Sequence, residues 1–263
     1  LMKKGISLFL AALLALTALA GPALGESKTY ELPELYLSLD IPEEMMVFTR
    51  EMAEDDIGLL VLEMTPEQLR QDFESKNVYM NAMSLDPIYE IIVTMLDYEG
   101  SQEIFDFNTL SDHQLNEMAQ MLLDGEAAQG RGFIYENYRL EKKDQARFMA
   151  LDLRQEAGGS TIYGRQYYTI FNGQAINITL QSYTGPISGE MSETAEGIMD
   201  SLRFTKVLEN PRKGAVSAKW VVAGVTLAAA ALGLWLVIGS KRKQNREDQA
   251  AAAAVSQAAE PKE

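Results

Sequence analysis

A chain of 263 residues with no cysteine excludes a disulfide framework, a thiolate metal centre and a cysteine-borne lipid anchor. Its formal charge is −15, and residues 26–210 alone hold 34 acidic against 13 basic side chains, a net −21. So acidic a region repels nucleic acid and anionic headgroups, leaving cations or basic surfaces as electrostatic partners; in the plainest case the charge serves solubility.

Lys3 and Lys4 precede an uncharged run over residues 6–20 that ends in small residues before Gly21 and Pro22. That is the layout of a secretory signal peptide, assigned to residues 1–25, with cleavage fitting after Ala20 or after Gly25. Residues 26–210 follow as one domain, long enough to bury a substantial core. Residues 35–41 alternate loosely and stop at Pro42, as a strand does at a breaker. Thr65-Pro66-Glu67-Gln68 opens a helix, with Thr65 as N-cap, Pro66 at the first helical position and Gln68 closing a capping box; Leu69 and Phe73 share its buried face. Residues 78–85 and 88–98 are β-rich runs separated by the turn Asp86-Pro87. Ser111 to Gln114 repeats the capping box and begins a helix whose stripe, Leu115, Met118, Met121 and Leu122, stops at Gly125.

Four strands follow, 133–140, 146–156, 161–171 and 174–183, turning at Lys142-Lys143-Asp144, Gly158-Gly159 and Asn172-Gly173. Asn-Gly favours a type I′ hairpin, which pairs Phe171 with Gln174, Thr169 with Ile176 and Tyr167 with Ile178. One face then collects Tyr167, Phe171, Ile176, Ile178 and Leu180, while Asn177, Thr179 and Gln181 are expected in solvent on the other. Residues 188–202 form a closing helix burying Met191, Ala195, Ile198, Met199 and Leu202.

After a linker, 211–219, come 20 uncharged residues, 220–239. As a helix they span about 30 Å, the hydrocarbon thickness of a bilayer. Lys219 precedes them and Lys241, Arg242, Lys243 and Arg246 follow. A signal peptide followed by a stop-transfer helix predicts a single-pass type I protein of the cell membrane, its domain outside and its alanine-rich tail, 240–263, inside. Within the span Gly224 with Ala228, and Ala229 with Gly233, are small residues four apart that would support a weak homodimer; an alanine-rich helix also acquires such pairs by chance.

Residues 36–42 and 89–94, Phe105-Asp106-Phe107-Asn108, the strands around Asn172-Gly173 and the closing Ile198-Met199-Asp200-Ser201-Leu202-Arg203-Phe204 together resemble a PsbP-like α/β sandwich. The pattern covers residues 30–205 and is similar in particular to membrane-anchored members from Gram-positive bacteria. The resemblance implies an α+β fold, an antiparallel sheet with helices packed on one or both faces. It also implies a binding or assembly role without catalysis, by analogy with the fold's better-known users. It carries over no functional residue.

Asp106, Asn108, Asp112 and Glu117 fall at positions 1, 3, 7 and 12 of an EF-hand loop, but Leu110 and Ser111 stand where an oxygen ligand and a glycine belong. Metal is therefore not expected there, nor at the acidic run Glu54-Asp55-Asp56, which lacks spaced ligands and a turn glycine. His113, the single histidine, sits in a helix's first turn with no nucleophile motif to use it. Alternation splits Tyr163, Tyr167, Tyr168 and Phe171 between two sheet faces; core packing accounts for Tyr167 and Phe171 and leaves Tyr163 and Tyr168 open. The expectation is a membrane-anchored exofacial binding or assembly module without a cofactor, its partner a membrane or cell-envelope protein. The alternative is a surface hydrolase, which requires two carboxylates at a set separation in a cleft.

Overall fold

The computed structural model describes residues 26–85, 88–96, 99–124, 133–157 and 160–211. The signal segment 1–25, the apolar run 220–239 with Gly224, Ala228, Ala229 and Gly233, the tail, and the turn residues Asp86, Pro87, Gly125, Gly158 and Gly159 lie outside them. Among the described residues no helix is long and apolar enough to cross a membrane.

The chain begins with a hairpin, β1 (Ser27–Leu32) and β2 (Leu37–Pro42), reversed through a 3-10 turn at Pro33–Leu35 with Tyr36 left-handed at φ 50°. Next come β3 (Met45–Thr49), α1 (Ile57–Leu62), α2 (Pro66–Ser75), β4 (Val78–Ser84), β5 (Tyr89–Leu96), α3 (Glu99–Ile104), a 3-10 turn at Phe107–Thr109 and α4 (Asp112–Leu123). Four long strands follow, β6 (Phe133–Lys143), β7 (Ala146–Ala157), β8 (Ser160–Phe171) and β9 (Gln174–Ser182), then α5 (Gly189–Ser201) and β10 (Arg203–Phe204). All pairings are antiparallel: a seven-stranded sheet in the order β3-β4-β5-β9-β8-β7-β6 and a small sheet, β1-β2-β10.

Local chemistry fixes the ends of these elements. Both capping boxes form: Thr65 Oγ1 accepts from the Gln68 N–H at 3.2 Å, and Ser111 Oγ from the Gln114 N–H at 3.3 Å, each answered by the glutamine side chain. The β8–β9 turn has φ 55° at Asn172 and 77° at Gly173, and its register pairs Tyr167 with Ile178 as expected. The β6–β7 turn lies one residue further on than expected, because Lys142 and Lys143 remain paired and Asp144 takes the positive φ.

The seven-stranded sheet is covered on both faces. Its first face packs Ile91, Val93, Tyr167, Ile176, Ile178 and Leu180 against Leu37, Leu39 and Ile41 of the small sheet and Met191, Ile198 and Met199 of α5. Burying each such aliphatic side chain stabilises the fold by about 1.5–3 kcal/mol. Polar contacts add to α5: Glu196 receives Arg139 at 2.5 Å, Lys143 at 3.5 Å and Arg165 at 3.7 Å, while the Tyr167 hydroxyl donates to it at 3.2 Å. On the second face α4 and the turn before it cover β6–β8 through Phe107, Leu115, Met118 and Leu122. The other end of that face lies under α1 and α2 through Leu59, Leu69 and Phe73.

Two covers on the second face overturn one expectation. Asn177 and Gln181 are not in solvent but 1% and 2% exposed, and Thr179 is half-buried. Sequence alternation separates the faces of β9 correctly; it does not reveal that the polar face meets partners inside the protein.

Beyond β10 the chain runs back over the β8–β9 turn. The Asn172 side chain holds it there, donating to the Lys206 carbonyl at 2.9 Å and accepting from the Leu208 N–H at 2.8 Å.

Candidate functional site

Where the edges of the two sheets come together, residues 28–34 line a surface cleft of about 280 Å³ with Thr49, Arg50, Glu51 and Tyr79. Among the described residues, one wall is the free edge of β1. The Glu43 N–H bonds the Glu26 carbonyl at 2.9 Å, so in this register Lys28, Tyr30 and Leu32 point their backbone groups toward β2. The N–H and C=O groups of Thr29 and Glu31 therefore point the other way, off the sheet. The small sheet agrees with this: the Asp40 N–H, opposite Thr29, turns away from β1 and bonds Ser201 Oγ at 2.8 Å.

The facing wall is a fixed cation on an aromatic ring. Arg50 lies 3.7 Å from the Tyr79 ring centroid, donates from Nε to the Val78 carbonyl at 2.7 Å, and pairs through Nη1 with Glu34 at 3.0 Å. These contacts hold the guanidinium in one pose, which long surface side chains rarely keep. Burial pushes the Tyr79 hydroxyl pKa up, so the ring stays neutral beside the cation. Carboxylates of Glu31, Glu34 and Glu51 stand among the lining residues. The arrangement offers outward main-chain hydrogen-bonding groups, a cation–aromatic wall and carboxylates.

A second polar constellation is buried on the second face, between the two helical covers. Asn81 Nδ2 donates to Glu90 Oε2 at 2.8 Å, the Tyr183 hydroxyl donates to the other Glu90 oxygen, and Gln181 donates to Tyr183 at 3.1 Å. Next to it the Tyr135 hydroxyl donates to Gln166 Oε1 at 2.9 Å, and Gln166 donates in turn to Asn177. Glu90, Gln166, Asn177 and Gln181 are each at least 98% buried, so this is an internal network and not an open site.

The residues singled out in the sequence do not gather. Asp106 caps the 3-10 turn, accepting from the Asn108 N–H at 2.7 Å, whereas the Asn108 amide reaches the Gln145 carbonyl at 2.6 Å. Asp112 pairs with Arg147, and Glu117 lies 3.4 Å from His113, which is 81% exposed. Among the described residues no group of three His, Cys, Asp or Glu side chains is placed to hold a metal. Asp56 caps α1, accepting from the Gly58 N–H at 2.8 Å. Tyr168 is fully buried, edge-on to Phe107 at 5.4 Å, and Tyr163 is half-buried. Sequence reasoning missed Arg50, Glu34 and Tyr79. No local signal marks them, since their contacts join residues 16 and more positions apart.

No family model matches the chain, and no characterised relative matches its sequence. Solved structures do resemble it. Cyanobacterial PsbP from Synechocystis matches over 70% of this chain and 96% of its own, at 13% identity and a TM-score of 0.38. LpqN of Mycobacterium tuberculosis, described as involved in cell envelope biogenesis, matches over 70% of this chain and 86% of its own, at 11% identity and a TM-score of 0.34. A protein of Bacteroides thetaiotaomicron matches over 70% of this chain at 12% identity and a TM-score of 0.39, and this chain spans about half (49%) of its length. The PsbP-like resemblance read from the sequence is thus met again among solved structures; at these scores it carries nothing about ligand or activity.

Proposed function

We propose that the chain is a non-catalytic binding or assembly module, anchored by residues 220–239 on the outer side of a cell membrane, and that its cleft takes an extended segment of a membrane or cell-envelope protein. The free edge of β1 facing the Arg50–Tyr79 wall carries this reading. An added strand gains affinity from main-chain hydrogen bonds and selectivity from the pockets that receive alternate side chains. With Glu34 already paired to Arg50, Glu31 and Glu51 are the lip carboxylates that favour a segment with basic side chains.

The test uses the full chain in nanodiscs and a fluorescent peptide of alternating valine and lysine. Thr29→Pro removes one outward N–H and spares the main-chain bonds to β2, losing there only the Thr29 hydroxyl's bond to Asp40 at 2.6 Å, so binding should weaken roughly tenfold or more. The same peptide methylated on alternate amide nitrogens should not bind. Unchanged binding by the Thr29→Pro chain would dismiss the cleft as the site. Topology is read separately: protease added to intact cells should digest residues 26–210 and spare a C-terminal fragment, and protection of the whole domain would overturn the anchoring.

A further inference from the structure

We propose that the outer face of α1 is a docking surface for a second protein, one whose contact patch is apolar at its centre and basic at its rim. Ile57, Leu60 and Val61 are 73%, 76% and 57% exposed, three large aliphatic side chains on a helix of six residues. Met52, Leu62 and Met64 are half-buried and pack inward against the core beneath α1, so they do not cover these three. Scattered apolar residues need no explanation, but a clustered group on one short element does.

The helix cannot roll to hide this face. A Cβ at Gly58 would come within 2.8 Å of the Phe48 ring, so the bare glycine lets α1 lie directly on that ring with Leu59 buried beside it. Asp56 caps one end, and at the other Glu63, left-handed at φ 54°, returns its N–H to the Leu59 and Leu60 carbonyls. With Gly58 and Leu59 inward, Ile57, Leu60 and Val61 must point outward.

Charge decides among the occupants. Between Met52 and Met64 stand four carboxylates, Glu54, Asp55, Asp56 and Glu63, and no cation. None of the four joins an ion pair among the described residues. An anionic lipid surface is repelled by such a rim. So is a second copy, because a two-fold contact through α1 sets the rim against itself. A protein surface bearing lysine or arginine around an apolar centre satisfies both features. The site is separate from the cleft, since α1 packs on Phe48 on the second face of the large sheet.

Two synthetic helical peptides serve as probes for the full chain held in phosphatidylcholine nanodiscs. Both carry a leucine stripe, flanked by lysines in one and by glutamates in the other. The lysine peptide should bind, and Leu60→Ser/Val61→Ser should weaken it roughly tenfold or more while melting temperature stays close to the parent's. Glu54→Gln/Asp55→Asn should weaken it less, by a margin that shrinks with added salt. Ile57→Gln probes the same face independently, and the Thr29→Pro chain should bind this peptide as the parent does. Equal binding of both peptides, or indifference of the lysine peptide to the apolar substitutions, would overturn the proposal. A dimer lost with Leu60→Ser/Val61→Ser, or phosphatidylglycerol vesicles bound through the same residues, would overturn it in favour of a second copy or of lipid.

Discussion

The two faces of β9 both bury most of their side chains and are differently held. Ile176, Ile178 and Leu180 on one face, and Asn177 and Gln181 on the other, are all at most 2% exposed. The first set packs against aliphatic neighbours, where attraction is non-directional and volume is what matters. The second set sits in a chain of donors and acceptors, where each hydrogen bond depends on a particular pair of groups. Burial and hydrophobicity are thus separate properties of this sheet, and a mutation's cost depends on which face it strikes.

The sharpest way to break that contrast is to delete volume on the first face. Ile178→Ala should lower unfolding free energy by about 2–5 kcal/mol, whereas Ile178→Leu should cost less than about 1.5 kcal/mol. Urea denaturation of the two variants checks this, and equal losses would mean the first face is held by shape alone. On the second face Gln166→Leu preserves volume but strips Tyr135 and Asn177 of that partner, for an expected loss of about 1–3 kcal/mol. A stabilised Gln166→Leu protein would erase the difference between the faces.

At the hairpin joining β8 and β9, Gly173→Val places a branched side chain at φ 77° and should cost about 1–2 kcal/mol, an unchanged midpoint being the contrary result. The smallest effect concerns Asp106. Burial raises its carboxyl pKa, against the lowering pull of its Asn108 hydrogen bonds, so the folded protein holds that proton more tightly than the unfolded chain. Ionisation therefore opposes folding above the raised pKa, and the penalty fades as pH falls through it. Asp106→Asn should be slightly more stable than the parent at neutral pH and equal to it in acid, as read by melting temperature against pH. Calcium should act on the parent as sodium does at matched ionic strength; a saturable stabilisation at micromolar calcium would restore Asp106, Asn108, Asp112 and Glu117 as a ligand set.

What was legible in the sequence was local. Capping boxes at Thr65 and Ser111, the Asn172-Gly173 turn and the helical stripe through Met191 and Ile198 each lie within a few residues, and each matches the structure. β1 escaped notice because its side chains are mostly exposed and show no alternation, and α1 because Ile57–Leu62 is a short apolar run without helical period. For Asn177 and Gln181 alternation gives the face correctly but not the buried medium that the face meets. The clue lay elsewhere: Glu90 interrupts the apolar strand Tyr89–Leu96 directly opposite Gln181. Glu34 lies in the first 3-10 turn, Arg50 just past β3 and Tyr79 on β4, and nothing short of the fold brings them to one cleft.

The grip of Asn172 on the departing chain has a mechanical meaning. Tension applied beyond Pro211 loads the two hydrogen bonds of that one side chain before it reaches the two-residue pairing of β10 with β2 at the edge of the small sheet. Antiparallel bonds at an edge strand break singly and in succession, as in peeling, whereas a strand inside a sheet yields only when many break at once. The long strands β5, β9 and β8 therefore carry little of a modest pull, and the strap at the turn gives way before the core is strained.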